Sequence, residues 1–228
     1  MEFIFMLTRN DRTIEDAAGF VEQACDLGVS HIGFKDVGVA VETMHELVAT
    51  IRRCGGVSYL EVVSTTPDAM ASSLHSGVAL GVDRILGGTD LPAARRIMGD
   101  LSRYFPFAGR PVGHPTQLEG SAALVAEHCR GAIAMGCAGV DLLAYRATQA
   151  DPVDLVRAAR AALTGARLIV AGSVDCARRI HALAEAGADA FTIGSAVFDG
   201  SFSPAKGSLR GQILDILEAC DKAPRALA

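Results

Sequence analysis

The chain has 228 residues, a net charge of −5 and a pI near 5.7; half of it is apolar and 21% is charged. That apolar fraction supports a substantial core and excludes wholesale disorder. The acidic balance, with no cluster of Lys or Arg, argues against nucleic acid as a partner. No stretch reaches the roughly 20 apolar residues of a membrane-spanning helix. The apolar start Met1–Leu7 runs into Thr8-Arg9-Asn10-Asp11-Arg12 and reads as a strand, not a signal segment. The six cysteines (Cys25, Cys54, Cys129, Cys137, Cys176, Cys220) form no C-x-x-C pair and are expected to be free thiols in a cytoplasmic protein.

Short apolar runs alternate with amphipathic stretches along the chain. Strands are predicted near 2–7, 31–36, 57–63, 83–87, 110–114, 140–145, 167–171 and 190–194. Thr66-Pro67, Thr89 with Pro92, Asp151-Pro152 and Ser173 carry helix-start signals. Gly28, Gly81, Gly139, Gly165 and Gly187 carry helix-stop signals. Eight strand–helix units of even spacing predict a single (βα)8 TIM barrel over residues 1–228 rather than an open doubly wound sheet. Tyr104-Phe105-Pro106-Phe107 falls before the predicted fifth strand, as core or as a contact between subunits; a homodimer is the base-rate expectation.

A repeated phrase supports the barrel. Gly28-Val29-Ser30, Gly81-Val82-Asp83, Gly139-Val140-Asp141 and Gly187-Ala188-Asp189 open every second strand. Counting on from each glycine by the same step reaches Lys35, Gly88, Arg146 and Gly194 at the C-terminal strand ends, where barrel enzymes place their chemistry. This register sets Lys35 and Arg146 across the mouth from each other. It assigns Asp141 a structural turn role early in strand 6.

The turns after strands 7 and 8 are Gly172-Ser173 and Gly194-Ser195. Glycine permits close backbone approach, and a following helix offers free N–H groups, so two such turns side by side predict a phosphate cradle. Around them, residues 139–198 resemble the C-terminal half of the ribulose-phosphate-binding barrels. That superfamily includes hexulose-phosphate synthases, ketogulonate-phosphate decarboxylases, ribulose-phosphate epimerases and phosphogluconate-type aldolases. The resemblance implies a small phosphorylated ligand. It also marks departures: the synthases and decarboxylases have histidine where Arg146 stands, an acid at the end of strand 1 and an Asp-x-Lys-x-x-Asp run on strand 3. Here strand 1 ends Met6-Leu7-Thr8, and Glu61-Val62-Val63-Ser64-Thr65-Thr66 keeps one acid and no lysine. The magnesium-enediolate machinery of those enzymes is therefore mostly missing, and the epimerases' paired metal histidines are not evident. No cofactor is required by this reading, although a divalent ion such as magnesium fits one version of it.

Among Lys35, Lys206 and Lys222, Lys35 alone falls at a strand end in the mouth. A desolvated lysine near Arg146 would have a lowered pKa and form a Schiff base with a carbonyl. Glu61, an acid inside an apolar run, is costly to bury unpaired and reads as a proton partner or a salt bridge. His114, ending predicted strand 5, is a candidate acid or base. Arg9, Tyr145 and Arg146 are expected to bind substrate, the two arginines through bidentate contacts to anions; Asp36 follows with less weight, since it alternates with Lys35. The expected function is a lyase or aldolase acting on a small phosphorylated keto sugar or keto acid. A sugar-phosphate isomerase or epimerase and a phosphoester-sensing regulator are the alternatives.

Overall fold

A run such as Phe3-Ile4-Phe5-Met6 has no polar face, so it is stable only with both sides covered. The computed structural model, which describes residues 1–64, 66–113 and 115–224, gives it that cover. Eight strands, β1 Glu2–Met6, β2 His31–Lys35, β3 Val57–Val62, β4 Arg84–Gly87, β5 Tyr104–Phe105, β6 Gly139–Leu142, β7 Arg167–Val170 and β8 Ala190–Ile193, form one parallel sheet in the order β6-β7-β8-β1-β2-β3-β4-β5. The seam between β5 and β6 closes through backbone bonds from Ala138 N to Tyr104 O (3.1 Å), Asp141 N to Pro106 O (2.9 Å) and Ala108 N to Asp141 O (3.0 Å). The chain is a single (βα)8 barrel.

The outer layer comprises α1 Ala17–Asp26, α2 Val41–Arg53, α3 Pro67–Leu80, α4 Leu91–Met98, α5 Ala122–Ala134, α6 Pro152–Ala162, α7 Ala177–Ala186, the one-turn α8 Ser195–Phe198 and α9 Leu209–Lys222. Strand side chains alternate between two cores. One lies between strands and helices; the other, inside the barrel, is built from Ile4, Met6, Tyr59, Leu86, Phe105, Ile169 and Ala190. All six cysteines are free. Among the described residues no helix is long and apolar enough to cross a membrane.

Four expectations change. The fifth barrel strand is Tyr104–Phe105, not 110–114: Arg110–Val112 instead pairs antiparallel with Gln117–Glu119 in a hairpin that follows it. Pro106 breaks the apolar run, and its carbonyl serves the seam. Tyr104-Phe105 therefore belongs to the barrel wall, where both side chains are buried as core. The glycine that stops α5 is Gly136, with φ +78°, whereas Gly139 begins β6, where a side chain would collide with the Arg167 backbone. The repeated phrase is thus displaced by three residues at strand 6: Leu143 takes the position assigned to Arg146, which sits beyond it on a 3-10 turn, Ala144–Arg146. Of the predicted caps, Asp151 accepts from Val153 N and Asp154 N. Thr66 is the α3 N-cap without a side-chain bond, Asp90 rather than Thr89 caps α4, and Ser173 lies well before α7.

The N-terminal end of the barrel is plugged by a polar chain. Arg84 Nη1 donates to the Tyr59 hydroxyl (2.8 Å), Tyr59 lies 2.9 Å from His31 Nδ1, and His31 Nε2 lies 3.0 Å from Glu2, which also meets Arg167. Although Glu2 is close, burial and the Arg84 charge push the His31 pKa down to about 4. The ring is therefore neutral, with Nε2–H donating to the carboxylate and Nδ1 accepting from Tyr59. The unfolded chain takes up this proton near 6.5 and the folded one only near 4. The stabilisation is complete above 6.5 and is lost as pH falls through that window. Urea unfolding across it should show a smaller drop for His31→Gln than for the parent; equal drops would show that His31 is not the titrating group.

Candidate active site

Directly after β1 the chain makes a hairpin, Thr8–Arg9 against Arg12–Thr13. Its two-residue loop, Asn10-Asp11, has φ +51° and +58°, the left-handed pair that a tight hairpin turn demands and that Asn and Asp tolerate best among side-chain-bearing residues. The buried Thr13 hydroxyl staples this hairpin to the end of β2: Oγ1 donates to Lys35 O (2.7 Å) and accepts from Lys35 N (2.8 Å). Gly38 lies against the Thr13 backbone, at 2.5 Å from its carbonyl oxygen for any added Cβ. The effect is to lower Asp11 into the mouth.

There Asp11 joins two cations from opposite walls. Lys35 Nζ is 2.8 Å from Asp11 Oδ1, and Arg146 makes a bidentate contact at 3.2 Å on each carboxylate oxygen. Arg146 Nη1 also donates to Thr116 O (3.2 Å). Glu61, the register partner of Lys35, has Oε2 3.6 Å from its ammonium. Lys35 is only 3% exposed and Glu61 6%. Burial alone would raise the Asp11 pKa, but hydrogen bonds and charge from Arg146 and Lys35 bring it down to about 2. Below this cluster, on β6, Asp141 is fully buried, and neither of its carboxylate oxygens has a partner among the described residues. Burial, then the Glu61 charge, push its pKa far above the ordinary carboxylate range.

The cluster forms one wall of a cavity of about 350 Å³ whose other walls are the turns after β7 and β8. Gly172 and Ser173 both have left-handed backbones, at φ +78° and +57°. The N–H groups of Gly172, Ser173 and Val174 donate to no acceptor among the described residues. Each glycine also has a local packing reason. A Cβ on Gly172 would lie 2.6 Å from Arg146 Nε, and one on Gly194 would lie 2.6 Å from Thr8 Oγ1.

Lys35, Glu61, Arg146, Gly172, Ser173, Gly194 and Ser195 thus line one cavity. Other expected site residues do not. Arg9 is at the rim, paired with Asp199 at 2.6 Å, both well exposed. Asp36 turns outward and accepts from Ser73 on α3. Tyr145 stacks under the Arg179 guanidinium, 4.6 Å from its ring centroid. His114 lies outside the described residues. Two residues of the site were not anticipated. The hairpin signal for Asp11 was present in Asn10-Asp11 flanked by matched Thr-Arg and Arg-Thr pairs. The signal for Asp141 was the one that marked Glu61, an acid inside an apolar run. Among the described residues no three His, Cys, Asp or Glu side chains group as a metal site.

Asp11→Asn and Arg146→Gln should each destabilise the fold by about 2 kcal/mol, since each leaves a largely buried charge short of its partner. The double variant should lose less than the sum by about 1 kcal/mol or more. The Asp11 contribution should also vanish as pH falls from 3.8 to about 2, through the window between its ordinary and folded pKa values. Urea titrations of the cycle measure both; additive losses would mean that the contact is energetically idle.

No protein-family model and no curated protein sequence matches the chain. Solved structures do. Orotidine 5'-phosphate decarboxylase from Pyrococcus horikoshii superposes with a TM-score of 0.68 at 13% identity, covering 97% of this chain and 100% of that one. Thiamine phosphate pyrophosphorylase from Pyrococcus furiosus gives 0.63 at 13% identity, covering 97% and 96%. At this identity the likeness is one of fold. The chain shares its (βα)8 architecture with these two barrels.

Proposed function

We propose that the chain is an enzyme of carbonyl chemistry, a lyase or aldolase acting on a small phosphorylated keto sugar or keto acid. The observation that carries this reading is the meeting, in one cavity, of the Asp11–Lys35–Glu61–Arg146 cluster with unspent backbone N–H groups at Gly172, Ser173 and Val174. The N–H groups suit a phosphate, as backbone donors at βα turns do. The cavity volume suits a ligand of a few carbons plus phosphate. Two cations fixed near a carboxylate suit a substrate whose carbonyl oxygen becomes negative in the transition state. Both similar barrels are named for phosphate esters, orotidine 5'-phosphate and thiamine phosphate, which adds weight to a phosphorylated ligand.

In this mechanism the phosphate anchors the substrate on the β7 and β8 turns. Lys35 and Arg146 stabilise the oxyanion of an enolate. Glu61 accepts the proton released as the carbon–carbon bond breaks, and returns it to the enolate carbon. Lys35 is already engaged by Asp11 and Glu61, which favours its use as a fixed cation over attack on the carbonyl. An enolate also serves an isomerase, so the products decide between cleavage and isomerisation.

The test is incubation with a panel of phosphorylated keto acids and ketoses, products followed by NMR, with and without borohydride. Cleavage of one member is expected, with kcat lowered about 100-fold or more in Glu61→Gln and further by Lys35→Ala. A reduced adduct on Lys35 would convert its role from clamp to nucleophile. Tight binding without turnover of any member would overturn the enzyme reading in favour of a sensor.

A further inference from the structure

Asp141 is a fully buried carboxyl that the mechanism leaves unused, and its position is fixed by the fold. Its backbone N–H and C=O both serve the β5–β6 seam, bonding Pro106 O and Ala108 N. Its register partner on β7 is Ile169, a member of the apolar cluster inside the barrel, so the Asp141 side chain shares that interior. Nothing exposes it, and neither oxygen finds a donor among the described residues.

The charges that act on it come from three places: Glu61 on β3, Lys35 on β2 and Arg146 beyond the end of its own strand. On the other side, β7 and β8 present Ile169, Ala190 and Thr192, none of them ionisable. Counting charge settles which carboxyl is the odd one. The cluster has two cations, Lys35 and Arg146, and three acids, Asp11, Glu61 and Asp141. Asp11 contacts both cations at 2.8–3.2 Å, and Glu61 contacts Lys35 at 3.6 Å. No cation contacts Asp141. Two positive charges balance two carboxylates; a third carboxylate with neither a protein donor nor a counter-ion against it is costly to ionise in this interior.

We propose that Asp141 is a neutral carboxylic acid and the positioning partner of Glu61, its proton leaving a single negative charge on the two carboxyls beneath the Lys35 ammonium. The proposal rests on the reading of Glu61 as the group that moves a proton, and it extends that reading to what sets the charge of Glu61. With Asp141 neutral the pair carries a single negative charge. When Glu61 accepts a proton from the substrate, its new O–H bond forms as the substrate's O–H or C–H bond breaks, and the electron pair stays on the substrate. The pair becomes neutral beside the new enolate. Were Asp141 ionised, the resting pair would carry two negative charges and would repel both an anionic substrate and its enolate.

The substrate-free test is ¹³C NMR of the carboxyl carbons in the full chain. The Asp141 signal, identified as the one that disappears in Asp141→Asn, should hold the position of a protonated acid at neutral pH. In Glu61→Gln its titration midpoint should fall by more than about 1 pH unit, because the nearest like charge is gone. A stability arm reads the same proton. The folded state keeps a proton that the unfolded state gives up near 3.8, so the Asp141 contribution to stability declines as pH rises above that value, and Asp141→Asn lacks this contribution. The melting temperature of Asp141→Asn relative to the parent should therefore climb with pH. An Asp141 signal that titrates as an ordinary carboxylate, or a midpoint unmoved by Glu61→Gln, would overturn the proposal. If Asp141→Asn fails to fold, aspartate-selective labelling of Glu61→Gln still gives the coupling. These outcomes need no substrate, so they stand or fall separately from the substrate panel. Where turnover is found, loss of the alkaline limb of the kcat profile in Asp141→Asn is the matching kinetic result, and an unchanged profile would remove the positioning role.

Discussion

The mouth of this barrel is organised by one carboxylate. β2 and β6 stand on opposite walls, four strands apart in the sheet order, and each delivers a cation to the same space. Lys35 and Arg146 would repel each other there without an anion between them, and Asp11 supplies it at 2.8–3.2 Å. Local sequence choices that otherwise look unrelated serve that contact. Asn10 and Asp11 accept left-handed backbone so that the hairpin can turn in two residues. Thr13 ties the hairpin to Lys35, Gly38 leaves room for Thr13, and Gly172 leaves room for the Arg146 side chain. An ion cluster with this little solvent is a demanding structure: removing any member leaves its partners desolvated without compensation. The same desolvation would strengthen the action of the cluster on an anion placed beside it.

The barrel interior is layered by polarity along its axis. At the N-terminal end the plug of Arg84, Tyr59, His31, Glu2 and Arg167 is linked in a chain of polar contacts with a neutral imidazole in the middle. At the C-terminal end lies the Asp11 cluster. Between them Ile4, Met6, Leu86, Phe105 and Ile169 pack without a polar atom. This apolar layer keeps the two charged ends electrically apart and lowers the local dielectric beneath the mouth. Asp141 sits on the boundary, with aliphatic packing below and Glu61 and Lys35 above. The seam explains why it is there. With β5 only two residues long, closure depends on the backbone of Asp141, and the alternation of the strand then turns the side chain inward.

The strands were legible wherever apolar runs were uninterrupted, and all but one of the barrel strands lie within a residue or a few of their expected bounds. The fifth was misread because Pro106 splits Tyr104-Phe105 from Phe107, while Arg110–Val112 has strand-like composition but pairs only with its own hairpin partner. The repeated glycine phrase brought Lys35 to the mouth correctly. It also hid a register shift. Asp83 and Asp189 precede their strands and accept from the neighbouring strand's N–H groups, at Ser58 and Leu168, as a turn residue should. Asp141 matches them in sequence but lies inside β6, since the stopping glycine of α5 is Gly136. One phrase therefore has two structural meanings, and only the three-dimensional register separates them. Arg146 reached the mouth for a different reason from the one its spacing suggested: the 3-10 turn Ala144–Arg146 folds it back over Gly172.

The glycines of the β7 and β8 turns teach a related lesson. Their presence alone is weak evidence for a phosphate, because Arg146 presses against Gly172 and Thr8 against Gly194, and either contact would exclude a side chain with no ligand present. The weight falls instead on what the backbone leaves undone. An interior turn normally spends its N–H groups on caps or neighbouring strands, yet those of Gly172, Ser173 and Val174 find no acceptor among the described residues, and all three residues line the cavity of Lys35 and Arg146. Ser173 holds a left-handed backbone there, a conformation that costs a non-glycine residue energy and persists only when its surroundings impose it. A barrel shared at 13% identity with enzymes of different chemistry shows the fold and not what reacts in it. The features particular to this mouth are an acid returned to it by a hairpin, an arginine carried on a 3-10 turn, and a buried acid in the seam.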